Sequence, residues 1–257
     1  MLTLDLSGKT VVVTGGVRGV GAGISRAFLE AGADVVAVAR REPDTLPEVG
    51  GRTARFASLD VRDPAAAQAF MDGLDRLDVL VNNAGGGPFL PMADGDLRTH
   101  LKIIELNLAA PLIMARAAHT VMDRQPEGGS IIMIGSVSGV RPSPGSAAYG
   151  AAKAGLASLT TSLAVEWAPR IRVNTLTLGM VRTELAHLHY GDETGVEAVA
   201  RTVPLGRLAD PYDVGAACVF LSSPLAGYAS GSSMLLHGGG ERPAFLDAAT
   251  VNKEEQK

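Results

Sequence analysis

Tyr149 and Lys153, in Tyr149-Gly-Ala-Ala-Lys153, carry side chains that can exchange a proton with a bound molecule. At that spacing near the start of a helix, a phenol and an ammonium share one face. A free phenol has a pKa of about 10 and is almost wholly protonated at neutral pH. A cation about 4 Å away is worth about 4 kcal/mol at an effective dielectric of 20, or about 3 pK units. That would bring Tyr149 near 7, where it can serve as a general acid or base. Such a pair alone is common on exposed helices, and its companions give it weight. Ser136, in Gly135-Ser-Val-Ser-Gly139, closes the apolar run that starts at Ser130, and Asn82-Asn-Ala-Gly85 closes another. Asn107, in Glu105-Leu-Asn-Leu108, interrupts an apolar helical stretch, where its amide needs a partner. Ser138 and Ser143 are alternative hydroxyls with a poorer spacing to Tyr149.

A second constellation lies near the N-terminus, in Thr14-Gly-Gly-Val-Arg-Gly-Val-Gly21. It joins a buried strand to a helix, where unpaired N–H groups and the helix dipole attract phosphate. Gly15 suits the sharp turn, Gly19 and Val20 the backbone approach to a pyrophosphate, and Gly21 the packing of helix on strand. The following strand ends Val38-Ala-Arg-Arg41, without the acid that holds an unphosphorylated ribose in NAD sites. Arg40, with Arg18 from the glycine turn, suits a 2′-phosphate, so the expected cofactor is NADP(H), with NAD(H) the alternative.

Apolar, β-branched runs alternate with helical segments along the chain. Seven read as strands buried on both faces: Thr10–Thr14, Asp34–Ala39, Thr53–Ser58, Asp78–Asn82, Ser130–Ile134, Ile171–Leu176 and Ser233–Leu236. Helices are expected over Gly19–Ala31, Pro64–Leu74, Asp96–Arg124, Ala147–Trp167 and Pro211–Leu221, with Asp63 and Asp210 as caps before helix-starting prolines. This alternation predicts an α/β fold: a Rossmann-like, doubly wound, parallel seven-stranded sheet in a single domain over residues 1–257. Residues 182–210 break the alternation and read as a helical flap, and a tail follows from Glu241 whose polar end, Asn252–Lys257, reads as disordered.

Composition narrows the function. With 23 Lys+Arg against 27 Asp+Glu and 4% aromatic residues, the chain lacks a nucleic-acid binder's basic surface and stacking platforms. The segment Met1–Gly8 has no basic and apolar signal pattern, and no apolar run reaches the ~18 residues of a membrane span, so a cytoplasmic location is expected. The single Cys218 sits in an apolar run and reads as a core thiol. His187 and His189, two positions apart on a helix, diverge, and no metal is expected.

Thr14-Gly-x-x-x-Gly-x-Gly21, Asn82-Asn-Ala-Gly85, Asn107, Ser136 and Tyr149-x-x-x-Lys153 stand in the order and at the separations of the short-chain dehydrogenase/reductase family, which the chain resembles from about residue 5 to about residue 240. The resemblance implies reversible hydride transfer between nicotinamide and a carbonyl or alcohol carbon, in a homotetramer or dimer. By position, Tyr149 would be the general acid and Ser136 would bond the substrate oxygen. Lys153 would hold the nicotinamide ribose and lower the Tyr149 pKa, and Asn107 would fix a water relaying protons to Lys153. Asp60 and Val61 would meet adenine, Asn82, Ala84 and Gly85 would form the cofactor-side loop, and Gly179, Val181 and Thr183 would meet the carboxamide. Leu178 in place of a usual proline implies a looser backbone near the nicotinamide; His237 and Gly135 also depart from the family's pattern. The expectation is an NADP(H)-preferring ketoreductase resembling 3-oxoacyl-thioester reductases and acting on a small carbonyl or alcohol substrate. Val140 and Gly86-Gly-Pro-Phe89 suggest an apolar, uncharged one. The alternatives are an NAD(H)-dependent alcohol, sugar or steroid dehydrogenase and a non-catalytic NADP-binding regulatory oligomer.

Overall fold

Valine-rich runs form the middle of the molecule. The computed structural model describes residues 4–250, so the expected disorder of Asn252–Lys257 lies outside the described residues. Its strands are β1 (Thr10–Thr14), β2 (Asp34–Ala39), β3 (Glu48–Val49), β4 (Arg52–Thr53), β5 (Arg55–Ser58), β6 (Val79–Asn82), β7 (Gly129–Ser136), β8 (Ile171–Leu178) and β9 (Ser233–Leu236). Seven of them make one parallel sheet in the order β5-β2-β1-β6-β7-β8-β9. The expected strand Thr53–Ser58 is divided. Thr53 belongs to the antiparallel β3–β4 hairpin, whose Gly50 and Gly51 both have positive φ, and only Arg55–Ser58 joins the sheet.

Side chains alternate across the sheet, and each parity has its own core. Val11, Val13, Val35, Val81, Ile132 and Leu176 pack with Phe28 and Val214 on one face. Val12, Val36, Leu80, Ile131, Met133 and Val173 pack with Met71, Met114 and Leu156 on the other. The first face is covered by α1 (Gly19–Glu30) and α8 (Pro211–Ser222), the second by α2 (Pro64–Asp72), α4 (Ala110–Met122) and α5 (Ala147–Glu166). Asp63 caps α2 by accepting from the Ala65 and Ala66 N–H groups, and Asp210 and Asp213 form a capping box at α8. Cys218 is buried in α8, and burial pushes its thiol pKa up.

The chain winds outward from β1 in both directions, so the sheet order reverses between β1 and β6. Ligands of open α/β sheets bind at the carboxyl ends of the strands near such a reversal. The segment after β8 holds α6 (His187–Tyr190) and α7 (Glu193–Ala200), packed around Ala186, Val196, Val203 and Leu208. Among the described residues no helix is long and apolar enough to cross a membrane.

Candidate active site

At the carboxyl end of β1 the glycine turn is held from two sides. The Thr14 hydroxyl donates to Val81 O (3.3 Å) and accepts from the Asn83 and Ala84 N–H groups (2.9 and 3.0 Å). Asn83 Nδ2 returns a bond to Thr14 O at 2.9 Å. Thr14 and Asn83 therefore lock the ends of β1 and β6 together, a task the spacing of the motif did not reveal. The doubled Asn82-Asn83 was the available signal. Asn82 itself is buried, with its amide on Pro111 O (3.2 Å) and Met133 Sδ (3.3 Å), so its backbone is what faces the sheet edge. A Cβ on Gly21 would lie 2.0 Å from Gly15 O, and only glycine lets α1 start this close to the strand. Arg18 gives α1 no side-chain cap, and no acid lies in the first turn. The leading N–H groups of α1 are thus left to acceptors from outside the helix, and Gly19 N meets one in Glu184 Oε1 at 3.0 Å.

Asn107 sits where one long helix was expected. The chain instead runs α3 (Leu97–Ile104), a π-helical turn (Glu105–Ala109) and α4. The carbonyl of Ile103, which an α-helix would offer to the Asn107 N–H, accepts from Asn107 Nδ2 at 2.9 Å, and the ladder there takes π spacing. The same Nδ2 donates to Gly86 O (2.9 Å), and Oδ1 accepts from Gly86 N (2.9 Å). With both amide protons taken, Asn107 positions the loop after β6. A Cβ on Gly85 would come within 2.6 Å of Asn107 Oδ1 and 3.4 Å of Lys153 Nζ, so this glycine lets the two side chains converge.

Lys153 is 5% exposed, and its Nζ donates to Ile134 O at 2.8 Å. Burial lowers its pKa to about 8. Nζ lies 5.6 Å from the centroid of the Tyr149 ring. The expectation that Lys153 draws the Tyr149 pKa down toward 7 is not met. Burial raises it, a hydrogen bond from Ser136 opposes the rise, and nearby Tyr190 adds to it. The reason is geometric: Lys153 lies over the ring and directs a proton to a carbonyl, while the phenol loses solvent. Ser136 Oγ also accepts from Ser138 N (3.2 Å). Ser143 bonds Ser138 (3.2 Å) and Ser146 (2.6 Å), so the two alternative hydroxyls are tied to each other.

At the far end, Arg18 and Arg40 are exposed, and neither guanidinium makes an ion pair or hydrogen bond among the described residues. Asp60 is paired with Arg62 (2.6 and 2.9 Å), which holds its carboxyl down to about 2, with Arg40 contributing. Val61 is buried beside it. Across the edge, Leu178 pairs with Leu236 and Gly179 N bonds Leu236 O at 2.9 Å, so the sheet ladder itself holds the backbone expected to be loose. Val181 pairs with Ala209 at the base of the flap, where Thr183 Oγ1 accepts from Leu185 N at 3.3 Å. A cavity of about 210 Å³ is lined by Val137, Val140, Met180 and Leu235, with the Arg141–Glu241 ion pair (2.5 Å) in its wall. His237 also lines it, whereas His187 and His189 are exposed on the flap. Among the described residues no three His, Cys, Asp or Glu side chains gather as a metal site.

The phosphate-ready turn, the free arginines and the buried Lys153 beside a phenol and a serine suit a nicotinamide dinucleotide. A family model described as enoyl-(acyl carrier protein) reductase matches residues 15–241. The oxidoreductase UcpA of Escherichia coli strain K12 is 36% identical over 262 residues, which cover 93% of this chain and 96% of that one. The 3-oxoacyl-[acyl-carrier-protein] reductase FabG of Vibrio harveyi is 34% identical over 246 residues, covering 92% and 98%. The Pseudomonas aeruginosa RhlG/NADP active-site complex matches with a TM-score of 0.85 at 28% identity, covering 92% of this chain and 98% of that one. Motifs, sheet order and relatives agree across nearly the whole chain, which belongs to the short-chain dehydrogenase/reductase family and is an NAD(P)-dependent oxidoreductase.

Proposed function

We propose that the protein is an NADP(H)-preferring carbonyl reductase, with the 3-oxoacyl-thioester reductases as a functional model. The observation that carries the cofactor preference is the pair Arg18 and Arg40. Neither guanidinium is held in a hydrogen bond or ion pair among the described residues, and β2 ends without the acid that would hold a 2′-hydroxyl. Gly15, Gly19, Val20 and Gly21 would carry the pyrophosphate. Asp60 and Val61 would meet the adenine, Asn82, Ala84 and Gly85 the ribose side, and Gly179, Val181 and Thr183 the carboxamide. A nicotinamide bound there would supply or accept the hydride.

The chain's own residues handle the proton. Ser136 fixes the substrate oxygen against Tyr149, and a phenol whose pKa is raised is held protonated, ready to donate in the reductive direction. Lys153, with a pKa of about 8, lies behind the phenol as the next proton carrier, and Asn107 holds the loop that shapes its chamber. The apolar lining of Val137, Val140, Met180 and Leu235, with its charges paired as Arg141–Glu241, supports an uncharged, mostly apolar ketone or secondary alcohol. A cytoplasmic homotetramer or dimer belongs to the same reading, supported by the exposed apolar side chains Leu101, Leu112 and Val165.

The test is a panel of ketones and alcohols, each assayed with NADPH or NADP and with NADH or NAD. Arg40→Asp should weaken NADPH at least tenfold and spare NADH. Equal use of both cofactors by the parent protein, or unchanged NADPH affinity in the variant, would favour the second reading, an NAD(H)-dependent alcohol, sugar or steroid dehydrogenase.

A further inference from the structure

The first N–H of α1 has an acceptor from far along the chain. Gly19 N donates to Glu184 Oε1 at 3.0 Å, although the two residues are 165 positions apart. Helix α1 has no side-chain cap and no acid in its own first turn, so Glu184 supplies the anion that the helix lacks. Its neighbour Thr183 faces the same turn, with its methyl 3.7 Å from where a Gly19 Cβ would stand. The flap's base is fixed: Arg182 N bonds Ala209 O at 2.8 Å, and Ala209 N bonds Met180 O at 3.1 Å. Glu184 is exposed. It borders a cavity of about 480 Å³ whose wall also holds His187 and the Arg182–Glu193 ion pair, which leaves the carboxylate room to swing away from the turn.

We propose that Glu184 competes with the cofactor's pyrophosphate for the Gly19 amide, so that it sets cofactor affinity and couples cofactor arrival to release of the flap. This rests on the nicotinamide reading above. A pyrophosphate laid on the glycine turn needs the amide that Glu184 holds and meets a like charge there. Its binding therefore includes displacement of a capping carboxylate, and that carboxylate stands on the segment that leads into α6 and carries Tyr190. Cofactor affinity and flap position are then linked in both directions.

Calorimetric titration of the full chain and of its Glu184→Ala and Glu184→Gln variants tests this, with NADPH, ADP and adenosine 2′-phosphate as probes. Glu184→Ala should bind NADPH and ADP roughly fivefold tighter, the size of a lost cap, and adenosine 2′-phosphate, which has no pyrophosphate, unchanged. Glu184→Gln keeps an acceptor and loses the charge, so it should tighten the first two by less. Equal or weaker NADPH binding by Glu184→Ala overturns the proposal, and so does a uniform change across all three probes, which would mark a general charge effect. If no form binds NADPH or NADH, the nicotinamide reading falls, and the competition falls with it.

Discussion

The two edges of the parallel sheet use polar groups in opposite ways. At the amino edge, Asp78 is 8% exposed and fully engaged by Lys9 Nζ (3.0 Å), Thr10 N (2.9 Å) and Arg76 Nε and Nη2 (2.6 and 2.7 Å). Burial pushes its pKa up, and these partners bring it below the usual carboxylate value. Gln125 closes the same edge, with its amide on both backbone groups of Leu77 and on Gly128 O. At the carboxyl edge, Arg18 and Arg40 make no hydrogen bond or ion pair among the described residues, and Lys153 is buried opposite a carbonyl rather than an acid. Paired charges hold the fold together. Unpaired ones wait for a ligand, and the buried one, Lys153, carries a stability cost until it comes.

The contrast breaks most sharply at Tyr149. Tyr149→Phe removes the proton donor and little packing, so steady-state turnover should fall about 10³-fold while the melting temperature and NADPH affinity hold. Turnover within tenfold of the parent would remove Tyr149 from its role. Lys153→Met should also abolish turnover and yet stabilise the fold. An unfolded lysine titrates near 10.5 and the folded one at about 8, so the native state disfavours the proton. Between those values the unfolded chain binds more protons, and parent stability rises with pH by about 3 kcal/mol. Denaturant melts should show Lys153→Met about 2 to 3 kcal/mol more stable at pH 7, with the gain gone above about pH 10.5. A destabilised variant at pH 7 would mean that the ammonium is well paired. At the other edge, Asp78→Ala should cost about 2 to 3 kcal/mol and leave kcat of the folded enzyme unchanged. A drop in kcat would show that the two edges are coupled.

The sequence made the strands and the catalytic spacing legible for the same reason: both are local. The continuous apolar run of Thr10–Thr14, buried on both faces, and the proline-led caps at Asp63 and Asp210 need no distant partner. What escaped depends on contacts between remote segments. Nothing near Gly19 announces Glu184, nothing near Lys153 announces Ile134 O, and no spacing reveals that burial outweighs a neighbouring cation at Tyr149. Thr53 was misplaced because its β-branched character suits a hairpin as well as a sheet.

The π turn at Glu105–Ala109 places Asn107 by counting rather than by chemistry. Each residue of a helix turns its successor by about 100°, so the loss of one residue between Ile103 and Asn107 would swing the amide away from Gly86 with every side chain still present. A residue inserted or deleted there should therefore disturb Asn107 more than exchange of Leu106 for another apolar type. This stretch of the chain is constrained in length more tightly than in composition.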